Sequence, residues 1–588
     1  MTRAADAISP SVRSGHTGLH APATTAVIAT DPPPDLAASV AAGIISADDV
    51  AAVGVFVSMA SREEPRSLEP LAWLALALAI RTPRDGHTCV DLARITDWIG
   101  VEAPAGLPAW PTAAAAWKES LLSAGALVGV AGDRRPFILD GDRLYLARSL
   151  YEEQAIARRL IGAVDGEEGT PLGGVRILLG GPGTGKTTEV ARRLIEKFTA
   201  DPFTRIALAA PTGKAAARMA EALRNRCIAE QAPQPVLAAI DAARPVTVHR
   251  LLKIRPQGTP RYPFNADNPL AYDLVVVDET SMLSSTLMHR LLDAISADTE
   301  LLLVGDPDQL ASVEAGSVLA DIARAASRPD SPLAAVTDRL ITRHRFGAEI
   351  GDLADAILAG DATGVLDLLQ VPQSGNAALF PPIAWIEPGT AAFRSLVGEV
   401  VAHAKRLRSL ARAEDATAAI EAQKDLQVLC AHRSGPLGAA GWNVNVDERL
   451  GVSGGPPWYP GRPVMITRNT PALDLFNGDI GLAVPAADGS SRLEAAFPQG
   501  RSVRRVSVTR LDEVATVHAL TIHKSQGSEY RHAVVVLPVR ASRILSRELF
   551  YTGVTRAIDR VTIVGSREVI AAAVTRPIRR ASGLADRL

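Results

Sequence analysis

The chain has 588 residues, 47% hydrophobic and 21% charged, an ordinary globular composition with too much material for one core, so three or four domains are expected. A net charge of −2 excludes a uniformly basic nucleic-acid coat while leaving room for a local cationic groove. The cysteines, Cys89, Cys227 and Cys430, are too scattered for a disulfide framework or a zinc cluster and fit a reduced, cytoplasmic setting.

Residues 1–35 are rich in Ala, Pro, Thr and Ser, without the basic-then-apolar design of a leader, and read as a disordered tail. Residues 36–150 read as short amphipathic helices ending in "LVGVAGDRRPFILDGDRLYLARSL", a hairpin pattern around "DGD". The apolar run "PLAWLALALAI" is too short to cross a bilayer, and no membrane association is expected. From about residue 172 come "VRILL", "RIALAA", "DLVVVDE" and "ELLLVGD", each followed by a polar turn and a helical pattern. Such fully apolar runs suit parallel strands covered on both faces. A second series is "DLQVLCA", "HAVVVLP" and "RVTIVG". Between its first two members, Pro, Gly and Asn-Gly turns separate short strands from "WYPGRPVMITRN" to "SSRLEAAF", which predicts a small β-barrel inserted into a second α/β domain.

The segment "GGPGTGKTT" gives Gly180, Gly181, Pro182, Gly183, Thr184, Gly185, Lys186, Thr187 and Thr188, a phosphate-binding loop between a strand and a helix. Its glycines let backbone N–H groups turn toward phosphate oxygens. Lys186 is expected to reach the β- and γ-phosphates of a bound nucleotide, and the Thr187 hydroxyl to ligate Mg2+; the loop alone does not separate a kinase, a switch GTPase and a motor. In "VVVDETSM", Asp278 ends a strand where it can hold the metal through water, and Glu279 can polarise an attacking water. In isolation the same pair reads as an acidic helix cap. "LLLVGDPDQL" ends the next strand with Gln309, placed to sense the γ-phosphate; its "DPDQ" also reads as an ordinary type I turn. Only eight basic residues are lysines, and Lys186, Lys214 and Lys524 fall inside these and later motifs.

The order of these loops resembles that of the superfamily 1 helicases, and the resemblance extends through "APTGKAAARM", "TVHRLL", "RHRFG", "TIHKSQGSEY" and "ELFYTGVTRAIDRV". "DETSM", "GDPDQL" and "HKSQGSE" are similar to the 5′→3′ branch. "LCAHRSGPLGAAGWN", "WYPGRPVMITRN" and "LFNGDIG" look more closely like the RecD family of RecBCD (exodeoxyribonuclease V) subunits. The resemblance implies two RecA-like P-loop motor domains, with ATP and Mg2+ in the cleft between them. It assigns Arg345 and Arg556 to the γ-phosphate from the far side, as arginine fingers. It places Pro211, Thr212, Lys214, Thr247 and His249 on DNA from the first motor, and Thr521, His523 and Ser525 from the second. Gln526 and Gly527 would turn the same loop toward the nucleotide, and Glu529 matches the family's motif acid.

The expected division is a tail at 1–35, a mainly helical partner-docking domain at 36–150, motor 1 at 151–340, motor 2 at 341–445 and 516–588, and an SH3-like barrel at 446–515. The resemblance implies single-stranded and duplex-end DNA together with RecB-like and RecC-like subunits as partners, in double-strand-break repair. The family's adenine-reading glutamine, some twenty residues before the phosphate loop, has no counterpart in "IGAVDGEEGTPLGGVR"; Gln154 lies farther back. No nuclease constellation is evident outside the ATP motifs. Three other readings stay open: a stand-alone helicase of the same kind, an RNA-directed motor of the same branch, and a structural subunit with a weakened motor.

Overall fold

The apolar runs of the first series form one parallel sheet. Its strands are β1 (Gly174–Gly180), β2 (Ile206–Ala210), β3 (Val246–Thr247), β4 (Leu274–Val277), β5 (Glu300–Gly305) and β6 (Thr337–Leu340), in the order β6-β1-β5-β4-β2-β3. A computed structural model describes residues 35–60, 68–98, 110–164, 167–168, 174–254, 262–342, 347–369, 381–413, 415–488, 490–499 and 502–588. The tail expected over 1–35 therefore lies outside the described residues except for position 35, as does Arg345.

Period-two alternation divides this sheet between two cores. Ile177, Leu179, Ala207, Ala209, Val275, Val277, Leu301 and Leu303 enter one, while Leu178, Ile206, Leu208, Leu274, Val276, Leu302 and Val304 enter the other. Each fully buried Leu, Ile or Val contributes roughly 1.5–3 kcal/mol by leaving water. With both faces covered, only the carboxyl edges of the strands remain for chemistry, and the motif loops leave from there.

The second parallel sheet contains β7 (Ile383–Ile386), β8 (Leu426–Cys430), β14 (Ala519–Thr521), β15 (Tyr530–Val536) and β16 (Ala557–Val564), ordered β7-β16-β15-β8-β14. Between β8 and β14 the chain forms a five-stranded antiparallel sheet. It comprises β9 (Pro463–Ile466), β10 (Ile480–Pro485), β11 (Leu493–Gln499), β12 (Ser502–Ser507) and β13 (Val514–Thr516), ordered β12-β11-β10-β9-β13.

Residues 35–146 combine helices Asp35–Ala41, Ala47–Ala60, Pro70–Arg81 and Ala114–Ser123 with a four-stranded sheet, so this region holds more strand than a hairpin alone. "PLAWLALALAI" is its central helix, with Ala72 to Ala79 all buried in the region's own core. No helix of the described residues is long and apolar enough to cross a membrane.

The C-terminal segment leaves the second sheet after helix Arg567–Thr575 and crosses to the first. Leu584 and Leu588 enter the first sheet's core. Buried Glu153 joins the pieces, accepting from Thr88 Oγ1 at 2.5 Å, Ser582 Oγ at 2.9 Å, Tyr145 Oη at 3.1 Å and Gly583 N at 3.2 Å. Burial raises its carboxyl pKa against the pull of these donors.

Candidate nucleotide and nucleic-acid site

The loop after β1 is shaped by residues that tolerate no Cβ. Gly183 and Gly185 have φ of 77° and 89°, in the left-handed region. A Cβ on Gly181 would stand 2.9 Å from Tyr551 Oη, so the loop's flat side is what lets the second sheet's helix Arg547–Val554 approach. Lys186 opens helix α1 (Lys186–Ala200), and its ammonium is folded onto its own loop, donating to Gly180 O at 2.5 Å and Gly181 O at 2.9 Å. Thr187 and Thr188 follow on the first turn and line the cleft.

Asp278 and Glu279 stand at the carboxyl end of β4. Glu279 is held at φ 52°, a costly conformation for a residue with a Cβ, and its N–H donates to Asp278 Oδ1 at 2.8 Å. Burial and the neighbouring Glu279 raise the Asp278 carboxyl pKa, with Lys186 opposing. Two crowded carboxylates beside a hydroxyl at a helix start form a donor set suited to a hard cation. Among the described residues no group of three or more His, Cys, Asp or Glu side chains could hold a metal alone. Nucleotide oxygens and water would complete the coordination of Mg2+ at Thr187 and Asp278.

Gln309 is buried, donating to Asp306 Oδ2 at 2.9 Å and accepting from Arg556 Nη2 at 3.0 Å. Arg556 is itself buried, with its other donors on Thr552 O and Ser528 O. Lys186, Thr187, Asp278, Glu279, Gln309 and Arg556, widely separated in sequence, thus line one cleft of about 560 Å³ between the sheets. Gln154 lies on helix Ala147–Ile161 and is not among the cleft-lining residues.

The loop after β14 closes the cleft from the second sheet. Helix α2 (Gly213–Ala229) holds it through two cations one turn apart. Lys214 Nζ donates to Ser528 Oγ at 2.7 Å, and Arg218 donates to Gly527 O at 2.8 Å and pairs with Glu529. Gln526 Nε2 reaches Leu310 O at 3.1 Å. Sequence reasoning missed Arg218, whose partners lie some three hundred positions away; its only signal was its place one turn after Lys214.

The residues expected on DNA fall into three groups. Thr212 and Thr247 cap their helices, accepting from Ala215 N and Arg250 N, each at 3.2 Å; each hydroxyl keeps its hydrogen to donate outward. Pro211, Thr521 and His523 are half-buried, and His249 is exposed. Ser525 differs from expectation. Its side chain is buried and donates to Ile522 O at 2.7 Å, closing the turn Ile522–Ser525, so in this conformation it offers no donor to a strand. Lys214 is likewise engaged between the sheets. A contact not anticipated comes from the antiparallel insert: the Phe476 ring packs against Gly213 and lies 5.2 Å from the Arg250 guanidinium carbon.

Three protein families match the chain: the N-terminal domain of RecBCD enzyme subunit RecD at residues 41–145, an AAA domain at 171–315 and a UvrD-like helicase C-terminal domain at 516–564. RecBCD enzyme subunit RecD of Mycolicibacterium smegmatis is 41% identical over 550 residues, covering 88% of this chain and 93% of that protein. The corresponding Mycobacterium tuberculosis subunit is 40% identical over 585 residues, covering 93% and 95%. A crystal structure of Bacteroides Pif1 bound to ssDNA aligns over 71% of this chain and 93% of that one, at 16% identity and a TM-score of 0.36.

Proposed function

Because this chain belongs to the RecD family of RecBCD enzyme subunits, we propose that it tracks single-stranded DNA 5′→3′ within a heterotrimer with RecB-like and RecC-like subunits, processing double-strand breaks in the cytoplasm. The chain is an ATP-dependent DNA helicase subunit. The nuclease of such an assembly belongs to other subunits. The observation that most supports the motor reading is the single cleft onto which Lys186, Asp278, Glu279 and Gln309 converge from one sheet and Arg556 from the other.

Bound Mg·ATP supplies the phosphoanhydride whose hydrolysis drives the motor. Lys186 leaves the Gly180 and Gly181 carbonyls for phosphate oxygens, and Gly183 and Gly185 turn backbone N–H groups toward them. Thr187 and Asp278 would hold Mg2+, and Glu279 would take a proton from the attacking water. Gln309 orients that water, and Arg556, already bonded to Gln309, stabilises charge developing on the γ-phosphoryl group. Arg345 is assigned the second finger. The loop of Gln526 to Glu529 makes cleft closure and strand contact one event, because Lys214 and Arg218 grip it beside Thr212.

Residues 151–340 and 341–445 with 516–588 are read as the two motors, each built on one parallel sheet. The five antiparallel strands within 446–515 and its margin support an SH3-like barrel. Residues 36–150 are assigned to partner docking, through an outer surface rather than through the buried helix Pro70–Arg81. Unwinding of 5′-tailed against 3′-tailed duplexes, without and then with the partner subunits, tests the proposal. Preference for the 3′ tail overturns the assigned direction, and activity unaffected by partners overturns the heterotrimer.

A further inference from the structure

The segment that follows Gln309 is held at both ends by parts of the chain outside its own sheet. At its start, Leu310 N donates to Thr552 Oγ1 at 3.0 Å and Leu310 O accepts from Gln526. At its far end one guanidinium gathers three carbonyls. Arg580 Nη2 donates to Ser312 O at 2.5 Å, and Nη1 donates to Gly316 O at 2.8 Å and Glu314 O at 3.0 Å. Among the described residues no carboxylate bonds this arginine. Burial lowers its pKa, with only Asp321 opposing at longer range.

Arg580 sits on the C-terminal segment beyond helix Arg567–Thr575, and its surroundings include the N-terminal region. Gly86, at φ 83°, lies so close that a Cβ there would stand 2.8 Å from the guanidinium carbon. Gly86 O accepts from Gly316 N at 3.0 Å. Immediately after Gly86, His87 Nδ1 accepts from Ala581 N at 2.9 Å, and Thr88 N donates to Ala581 O at 3.0 Å. His523, on the loop expected to touch DNA, has its pKa lowered by burial and then by the Arg580 charge, which places the guanidinium within electrostatic reach of the track.

We infer that Arg580 is a positioning residue that fixes the loop Ser312–Gly316 to the N-terminal region and the C-terminal strap, so that the nucleotide state met at Gln309 reaches the DNA track. A guanidinium suits this role. Its planar fork serves several carbonyls at once, and its permanent charge makes each bond stronger than a neutral one. Without it the three carbonyls lose their shared side-chain donor, and the far end keeps only backbone bonds such as Gly316 N to Gly86 O and Ser285 N to Ala315 O, each at 3.0 Å. The inference rests on the helicase reading and adds to it a path between the two sites.

The test is DNA-stimulated ATP hydrolysis by the full chain, alone and in its complex, as a function of oligo-dT concentration. Arg580→Ala is expected to raise the half-saturating DNA concentration roughly tenfold while leaving DNA-free turnover within about twofold of the parent. Arg580→Lys recovers part of the loss, because an ammonium can serve some but not all of the carbonyls. Gly86→Ala, far from the nucleotide, reproduces the defect by pushing the guanidinium away. An unchanged DNA constant in the folded Ala and Gly86 variants overturns the assignment. So does a proportionate fall of turnover with and without DNA in all three, which marks a merely structural contact. If the parent itself shows no DNA stimulation, the helicase reading fails with it, an outcome distinct from an Arg580→Ala variant that responds normally.

Discussion

The two parallel sheets are built alike and use their carboxyl edges differently. The first assembles its chemistry from neighbours in sequence: Lys186 folds on Gly180 and Gly181, Glu279 bonds Asp278, and Gln309 bonds Asp306. The second places its groups on partners across the cleft. Arg556 lies on Gln309, Gln526 and Thr552 lie on Leu310, and Glu529 lies on Arg218. Under the proposed motor mechanism, one sheet would therefore form a phosphate cradle by itself, and the other would supply groups that act only when the cleft is closed. On that reading binding and turnover would be divided between the two sheets, as a motor that converts closure into movement requires.

Substitutions on the two sides should break in different ways. Lys186→Gln, in the cradle, should have the largest effect, lowering kcat/KM for ATP by about 10⁴ or more because both nucleotide affinity and turnover depend on it. Equilibrium binding of a fluorescent ATP analogue and steady-state hydrolysis check both halves. Arg556→Ala, on the far side, should lower kcat by about 10³ while nucleotide affinity stays within a few fold. If Arg556→Ala loses affinity as severely as Lys186→Gln, the division of labour between the sheets is wrong. Glu279→Gln should lower kcat by roughly 10²–10³ with affinity retained, since the amide keeps the shape and loses the proton acceptor. A single-turnover experiment showing normal chemistry in that variant would remove Glu279 from its role.

The same contrast explains what the sequence made legible. The cradle could be read directly because its residues sit at fixed short spacings that backbone geometry imposes: left-handed glycines at 183 and 185, a lysine starting α1, and acids ending β4. That β1, β2, β4 and β5 are covered on both faces was legible for the same local reason, because their runs are almost wholly apolar. Arg556 came into view only through its motif, since an arginine in an Arg-rich chain carries no signal of its own. Ser525 misled because a polar residue in a ligand loop looks the same whether it faces a phosphate or closes its own turn; its bond to Ile522 O decides between them. Arg218, Phe476 and Arg580 were invisible, because their partners lie hundreds of residues away and are mostly backbone or ring atoms with no complementary pattern. The helix Pro70–Arg81 was legible as apolar but not as a core helix buried from Ala72 to Ala79, because a docking helix and a central core helix differ in what surrounds them.

Lys214 belongs to both sides and gives the smallest but most discriminating effect. Burial, and then the Arg218 charge, hold its pKa down at about 8, against the pull of Asp479. A free lysine titrates near 10.4, so between these values the open chain carries a proton that the closed chain has shed. The closed arrangement therefore gains stability as pH rises through that window, and below about 8 it bears the whole cost of a buried ammonium. A DNA phosphate arriving at Nζ acts in the opposite sense, because it favours the charged form and raises the pKa again. Binding then takes up a proton above pH 8, and affinity falls as the pH climbs. Fluorescence anisotropy with oligo-dT at constant ionic strength should show about a three- to tenfold loss of affinity between pH 7.5 and 9.5. Lys214→Arg, whose guanidinium stays charged throughout, should flatten the profile. If parent and variant are equally flat, Lys214 serves only as the tie to Ser528, and the DNA track on the first sheet runs past it through Thr212, Thr247 and His249.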